Sequence, residues 1–80
     1  MKDVSIRYFA AFREAAGTEY EQVQTSAVSP SELFGECAAR HDRLQKFSAA
    51  LVAINDDMCD WNAVLKDGDE VLFFPPVAGG

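Results

Sequence analysis

Residues VSIRYF at 4–9 alternate with the period of a strand, placing Val4, Ile6 and Tyr8 on one face and Ser5, Arg7 and Phe9 on the other. AAFREAAG comes next as a short, alanine-rich helix, with Gly17 placed to close it in a left-handed conformation. EYEQVQT at 19–25 alternates again. Its polar content suits an edge or hairpin strand whose apolar positions are Tyr20 and Val23. The clearest start signal is SPSE: Ser29 caps, Pro30 fits the first turn and Glu32 completes a capping box. The helix runs on through LFGECAARH with Leu33, Phe34, Cys37 and Ala38 on one stripe. Gly35 weakens it by about 1 kcal/mol relative to alanine, and suits close packing against a neighbour.

DRLQKFSAA at 42–50 reads either as a continuation of the helix or as a loop carrying two core anchors, Leu44 and Phe47. LVAIN is a strand that ends in the turn residues Asn55, Asp56 and Asp57; Met58 and Cys59 then form a short return strand. Asp67-Gly68 makes a second turn, because both residues tolerate positive φ. It leads into a strand in which Val71 and Phe73 face one way, Leu72 and Phe74 the other. The order is strand, short helix, strand, longer helix, strand, short strand, strand. It predicts one α+β domain over residues 1–80: a mixed sheet with the capped helix across one face, a ubiquitin-like β-grasp. A ferredoxin-like fold would need a second full helix, which the pattern does not supply.

Composition narrows the function classes. With 49% apolar residues, 80 residues afford one core. A net charge of −6 repels phosphate backbones and anionic membranes, so neither nucleic acid nor membrane is an expected partner. No apolar run approaches the ~20 residues of a membrane span. MKDVSIRYF lacks the apolar core of a signal peptide, so the expected location is the cytoplasm. There Cys37 and Cys59 are expected to be reduced. Cys37 and His41 stand four residues apart, a spacing that would put a thiol and an imidazole on one helix face. Nothing around them looks like a site, and the expected reading is a buried thiol beside a helix-end histidine. The DGDE carboxylates lack further metal ligands; Asp69 and Glu70 are expected to serve solubility, and Trp61 and Phe47 the core.

Two features remain. If Ile6, Tyr8, Val71 and Phe73 face the core helix, Phe9 and Phe74 lie on the opposite face, where uncovered aromatics form a docking patch. FFPPVAGG at 73–80 is the other. Pro75 and Pro76 end sheet pairing and keep the succeeding residues extended, so residues 75–80 are expected to project as a tail. Gly79 and Gly80, without Cβ atoms, make a tip slim enough to thread a narrow channel.

YFAAFREAAGT, VAIN and LKDGDEVLFFPPVAGG together resemble the molybdopterin synthase small subunits, which group with the thiamine-pathway sulfur carriers and, more distantly, with ubiquitin. The resemblance spans nearly the whole chain, and DGDEV-x-FFPPV-x-GG is its specific part. It implies a non-catalytic sulfur-carrier subunit whose Gly80 carboxylate is adenylated, converted to a thiocarboxylate and used to deliver sulfur to a cyclic pyranopterin monophosphate precursor. It implies no cofactor or metal held by the chain itself, with ATP used by a ubiquitin-activating-type adenylyltransferase. The other implied partner is a large catalytic subunit, in a heterotetramer. That subunit would be contacted by Phe9, Arg13, Met58 and Phe74 and by the tail residues Pro75, Pro76, Val77, Ala78 and Gly79. Met58 stands where leucine is expected, and methionine fills the same pocket. The rival readings are a carrier serving thiamine thiazole synthesis or a ubiquitin-like protein modifier.

Overall fold

The computed structural model describes residues 1–46 and 51–75. The chain forms β1 (Lys2–Tyr8), α1 (Ala11–Ala16), β2 (Tyr20–Thr25), α2 (Pro30–Arg40), a 3-10 turn (Asp42–Lys46), β3 (Leu51–Ile54), β4 (Asp57–Cys59) and β5 (Glu70–Phe74). The strands make one five-stranded sheet in the order β2-β1-β5-β3-β4. β1 runs parallel to β5, and the other pairs are antiparallel. With α2 packed on one face, this is the β-grasp arrangement expected from the order of elements. The ambiguous stretch after α2 resolves into the 3-10 turn, with Leu44 buried. Phe47 and the tail from Pro76 to Gly80 lie outside the described residues.

The two-residue alternation holds wherever one face meets the helix. Val4, Ile6 and Tyr8 of β1, Val52 of β3, and Val71 and Phe73 of β5 are buried with Phe12, Leu33, Cys37, Leu44 and Leu65. An aromatic ladder ties helix to sheet. The Phe34 ring lies 5.4 Å from Phe12, 5.0 Å from Phe73 and 5.7 Å from Trp61, and Trp61 stacks parallel on Phe73. Such offset and edge-on pairs add to the stabilisation from burial alone.

The caps arise from local chemistry. Ser29 Oγ accepts a hydrogen bond from the Glu32 N–H at 3.3 Å, while Glu32 Oε1 accepts from the Val28 N–H at 3.2 Å. The box therefore closes one residue upstream of the cap itself. Gly17 ends α1 at φ 76°, and its N–H reaches the Arg13 carbonyl. Asn55 and Asp56, at φ 52° and 73°, turn β3 into β4, the geometry that two-residue hairpins favour.

Two expectations are corrected. A Cβ added at Gly35 would meet nothing within 4 Å, so that glycine serves no close approach. Asp69 is not a solubility residue. It is buried, its carboxylate accepts from Asn55 Nδ2 at 3.0 Å and from the Lys66 N–H at 2.8 Å, and it thereby fastens the turn before β5 to the β3–β4 hairpin. Glu70 is likewise engaged: its N–H donates to Asn55 Oδ1, and its carboxylate pairs with Arg7. Asp67 Oδ1 accepts from the Asp3 N–H at 2.7 Å, closing the same corner onto β1.

Candidate functional site

The strand register defines the face of the sheet opposite α2, because side chains on paired residues point the same way. One row crosses all five strands: Tyr20, Arg7, Leu72, Ala53 and Met58. Beside it lie Phe74 and its β3 partner Leu51. Phe9 continues β1, held by its N–H donating to the Phe73 carbonyl at 3.2 Å. Its ring stacks on Phe74 with centroids 4.7 Å apart and planes 12° from parallel. The parity expected from sequence therefore holds, and the two phenylalanines form one half-buried platform. Leu72 and Ala53 are buried although they sit on this outer face, because they occupy central strands flanked on both sides. Met58 and Leu51, on its flank, remain 57% and 56% exposed. Exposed apolar side chains beside a stacked aromatic pair make this face of the sheet the candidate docking surface.

Charge borders the patch. Arg7 Nε lies 2.9 Å from Glu70 Oε2, and its guanidinium sits 5.5 Å from the centroid of the Tyr20 ring. The hydrogen bond to Glu70 and that carboxylate's charge raise the Arg7 pKa. Arg13 is exposed on α1 and 4.0 Å from Glu19, a loose pairing that leaves its guanidinium open to a partner. Pro75 succeeds β5 directly and is half-buried. In the sequence, Pro76 and then VAGG come next.

A second cluster lies on the helix side. Glu21 Oε1 accepts from the Tyr8 hydroxyl at 2.5 Å, is 3.1 Å from His41 Nε2 and lies 3.6 Å from Arg40. Burial raises the Glu21 carboxyl, but the hydrogen bonds from Tyr8 and His41 and the Arg40 charge outweigh it and lower the pKa. His41 caps the C-terminal end of α2, as a helix-end residue should. Its ring engages Glu21, and the nearby thiol engages Arg40: Arg40 Nη2 lies 3.5 Å from Cys37 Sγ. Burial pushes the Cys37 thiol up, the direction opposite to that which activates a nucleophile. The same cause raises Cys59. Among the described residues, no group of three or more His, Cys, Asp and Glu side chains converges as metal ligands.

The model of the ThiS family matches residues 6–80. The chain belongs to the ThiS family. A molybdopterin synthase sulfur carrier subunit of Escherichia coli is 35% identical over 80 residues, covering 96% of this chain and 99% of that protein. A protein–protein complex of subunits 1 and 2 of the molybdopterin-converting factor from Helicobacter pylori contains a chain that matches with TM-score 0.66 and 29% identity, over 98% of this chain and 99% of that one. Small archaeal modifier protein 1 of Haloferax volcanii superposes with TM-score 0.85 at 21% identity, over 96% of this chain and all of that one, and shows the shared fold.

Of the site residues expected from sequence in this ThiS-family chain, the structure brings Phe9, Phe74 and Met58 onto one face and leaves Arg13 exposed on α1. Arg7, Tyr20 and Leu51 were not singled out. LVAI is apolar throughout and so gives no alternation; choosing the face of Leu51 required the pairing with Phe74. The alternation of VSIRYF already put Arg7 on the face of Phe9 and marked Tyr20 as an apolar strand position, but that the two meet depends on the β1–β2 register.

Proposed function

We propose that this chain is the sulfur-carrying subunit of a molybdopterin synthase. The observation that carries the reading is that β5 presents Phe74 to the stacked aromatic platform and then passes directly into Pro75 and the tail. A partner that docks on Phe9, Phe74, Leu51 and Met58 therefore receives the root of the tail at its own surface. Family membership extends through residue 80, and the Escherichia coli relative carries the sulfur-carrier name.

The chemistry assigned to Gly80 starts from the poor electrophilicity of a carboxylate. A ubiquitin-activating-type adenylyltransferase uses ATP to form the acyl-adenylate and pyrophosphate. Sulfide, or a persulfide with subsequent reduction, displaces AMP and leaves the thiocarboxylate. The larger catalytic subunit takes the tail into its active site, supplies the cations that hold the phosphate of the cyclic pyranopterin monophosphate, and stabilises leaving groups. Each transfer makes one carbon–sulfur bond on the precursor, and water supplies the oxygen that restores the Gly80 carboxylate. A dithiolene needs two sulfurs, so two loaded carriers, or one reloaded, serve each product. Arg13 and the tail residues Pro76 to Gly79 complete the contact in a cytoplasmic heterotetramer. Pro75 and Pro76 stiffen the tail and reduce the entropy lost on insertion. Among the described residues no helix is long and apolar enough to cross a membrane, which suits that setting.

The test is the intact mass of the chain after incubation with ATP, the adenylyltransferase and a sulfur donor. A gain equal to the difference between sulfur and oxygen, mapped to Gly80, is expected. A variant extended by one residue should gain nothing and yet fold normally; transfer by that variant, verified unclipped, would refute the assignment.

A further inference from the structure

Ala10 lies between the docking ring Phe9 and α1, and its backbone sits at φ 51° and ψ −125°. An L-residue there drives its Cβ against the neighbouring peptide groups, and glycine is the residue that usually occupies this region. The other non-glycine residues with positive φ among those described are Asn55 and Asp56, types that tolerate it. Ala10 has no such excuse. Its side chain is exposed, so no core packing offsets the strain, and as the N-cap of α1 it offers no side-chain hydrogen bond.

Both flanks enforce the conformation. Upstream, the Phe9 N–H bonds the Phe73 carbonyl at 3.2 Å and the Tyr8 N–H bonds the Glu19 carbonyl at 3.0 Å. Downstream, the Phe12 N–H bonds the Phe9 carbonyl and the Arg13 N–H the Ala10 carbonyl, each at 3.0 Å, while the Phe12 ring is fully buried. The chain must reverse between a fixed strand and a fixed core anchor. With a Cβ present, the well that Ala10 occupies is narrow, whereas glycine in the same place would have broad wells on either side.

We propose that Ala10 is a positioning residue of the docking face: its strained backbone holds the Phe9 ring against Phe74 before the partner arrives. The inference rests on reading that face as the docking surface. Pre-organising the ring pair removes an ordering cost from association. The strain is retained because its relief by glycine would loosen the ring that the partner reads.

Mirror symmetry supplies the discriminating variant. The reflection of Ala10's backbone, φ near −51° and ψ near 125°, is ordinary extended geometry for an L-residue, so a D-residue is at ease where Ala10 is strained. Three chains are made by chemical synthesis: the natural one, Ala10→Gly, and one with D-alanine at position 10. Glycine releases strain and frees the backbone; D-alanine releases strain and keeps the backbone narrow. The readouts are denaturant unfolding, the nuclear Overhauser contact between the Phe9 and Phe74 rings in the free chain, and calorimetric titration with the large molybdopterin synthase subunit of the same organism. D-alanine should lower the unfolding equilibrium constant by about 5- to 150-fold. Ala10→Gly should stay folded, lose ring-contact intensity and bind about fivefold more weakly, from one freed residue. D-alanine should restore both ring contact and affinity. The proposal is overturned if the glycine chain keeps the wild-type ring contact and affinity, or if D-alanine behaves as glycine does. A natural chain that fails to bind the large subunit at all removes the docking reading instead, and the ring contact in the free chains still decides the role of Ala10.

Discussion

Phe74→Ala removes one ring from a stacked pair whose centroids are 4.7 Å apart, at the point where β5 gives way to the tail. Two costs can be separated. A fully buried phenylalanine truncated to alanine costs about 3–5 kcal/mol. Phe74 is half-buried and faces away from the core, so about half that is expected, of which about 0.5–1.5 kcal/mol is the ring pair itself. A domain with a typical stability of about 5–15 kcal/mol stays folded after such a loss. Docking should suffer more. A central aromatic anchor costs about 2–4 kcal/mol when truncated, which weakens binding by about 30- to 700-fold. Calorimetric titration into the large subunit measures the second cost, and denaturant unfolding of the free chain measures the first. Val64→Ser is the control, since Val64 is 72% exposed and lies outside the patch; it should shift either quantity by no more than about 0.5 kcal/mol. A folded Phe74→Ala chain that binds within about threefold of wild type, a change under 1 kcal/mol, would refute the docking argument. So would a Val64→Ser chain weakened to the same degree.

Other substitutions probe the fold that presents this face. Glu21 has a lowered pKa in the folded chain, so its contribution is present above the unfolded carboxyl value of about 4.3 and is lost as pH falls through the folded value. Glu21→Gln should cost about 1–2 kcal/mol at neutral pH by ending charge-assisted hydrogen bonds. It should also flatten the acid limb of a stability–pH profile; an unchanged acid limb would show that Glu21 does not couple to folding. Asp69→Ala leaves the Lys66 N–H and Asn55 Nδ2 without their acceptor. Chemical unfolding should register a loss of about 1–3 kcal/mol. Gly35→Ala meets open space at a helix-interior position, so thermal unfolding should show a gain of about 0.5–1 kcal/mol.

Local chemistry in the chain was enough for the strands, the two helices and their order, but not for the 3-10 turn after α2. The alternation of VSIRYF, the apolar run of EVLFF, the Ser29–Glu32 cap, Gly17, the turn expected at Asn55, Asp56 and Asp57 (of which Asp57 already opens β4), the Asp67-Gly68 turn and the stripe on α2 each depend on residues a few positions apart. All of these appear in the structure. The terminal DGDEV-x-FFPPV-x-GG motif pointed to the family for the same reason, as a contiguous string whose spacing needs no tertiary information. Tertiary pairing alone decided what depends on residues distant in sequence. Asp69 looks like a surface acid until Asn55 and Lys66 are brought to it. Glu21 looks like one polar position in an edge strand until Tyr8, Arg40 and His41 converge on a single oxygen. Leu72 and Ala53 are buried on the outer face only because β5 and β3 lie between other strands. The strain at Ala10 is the extreme case. Alanine has no local preference for positive φ, and the conformation exists only because β1 and the buried Phe12 fix both ends of the turn.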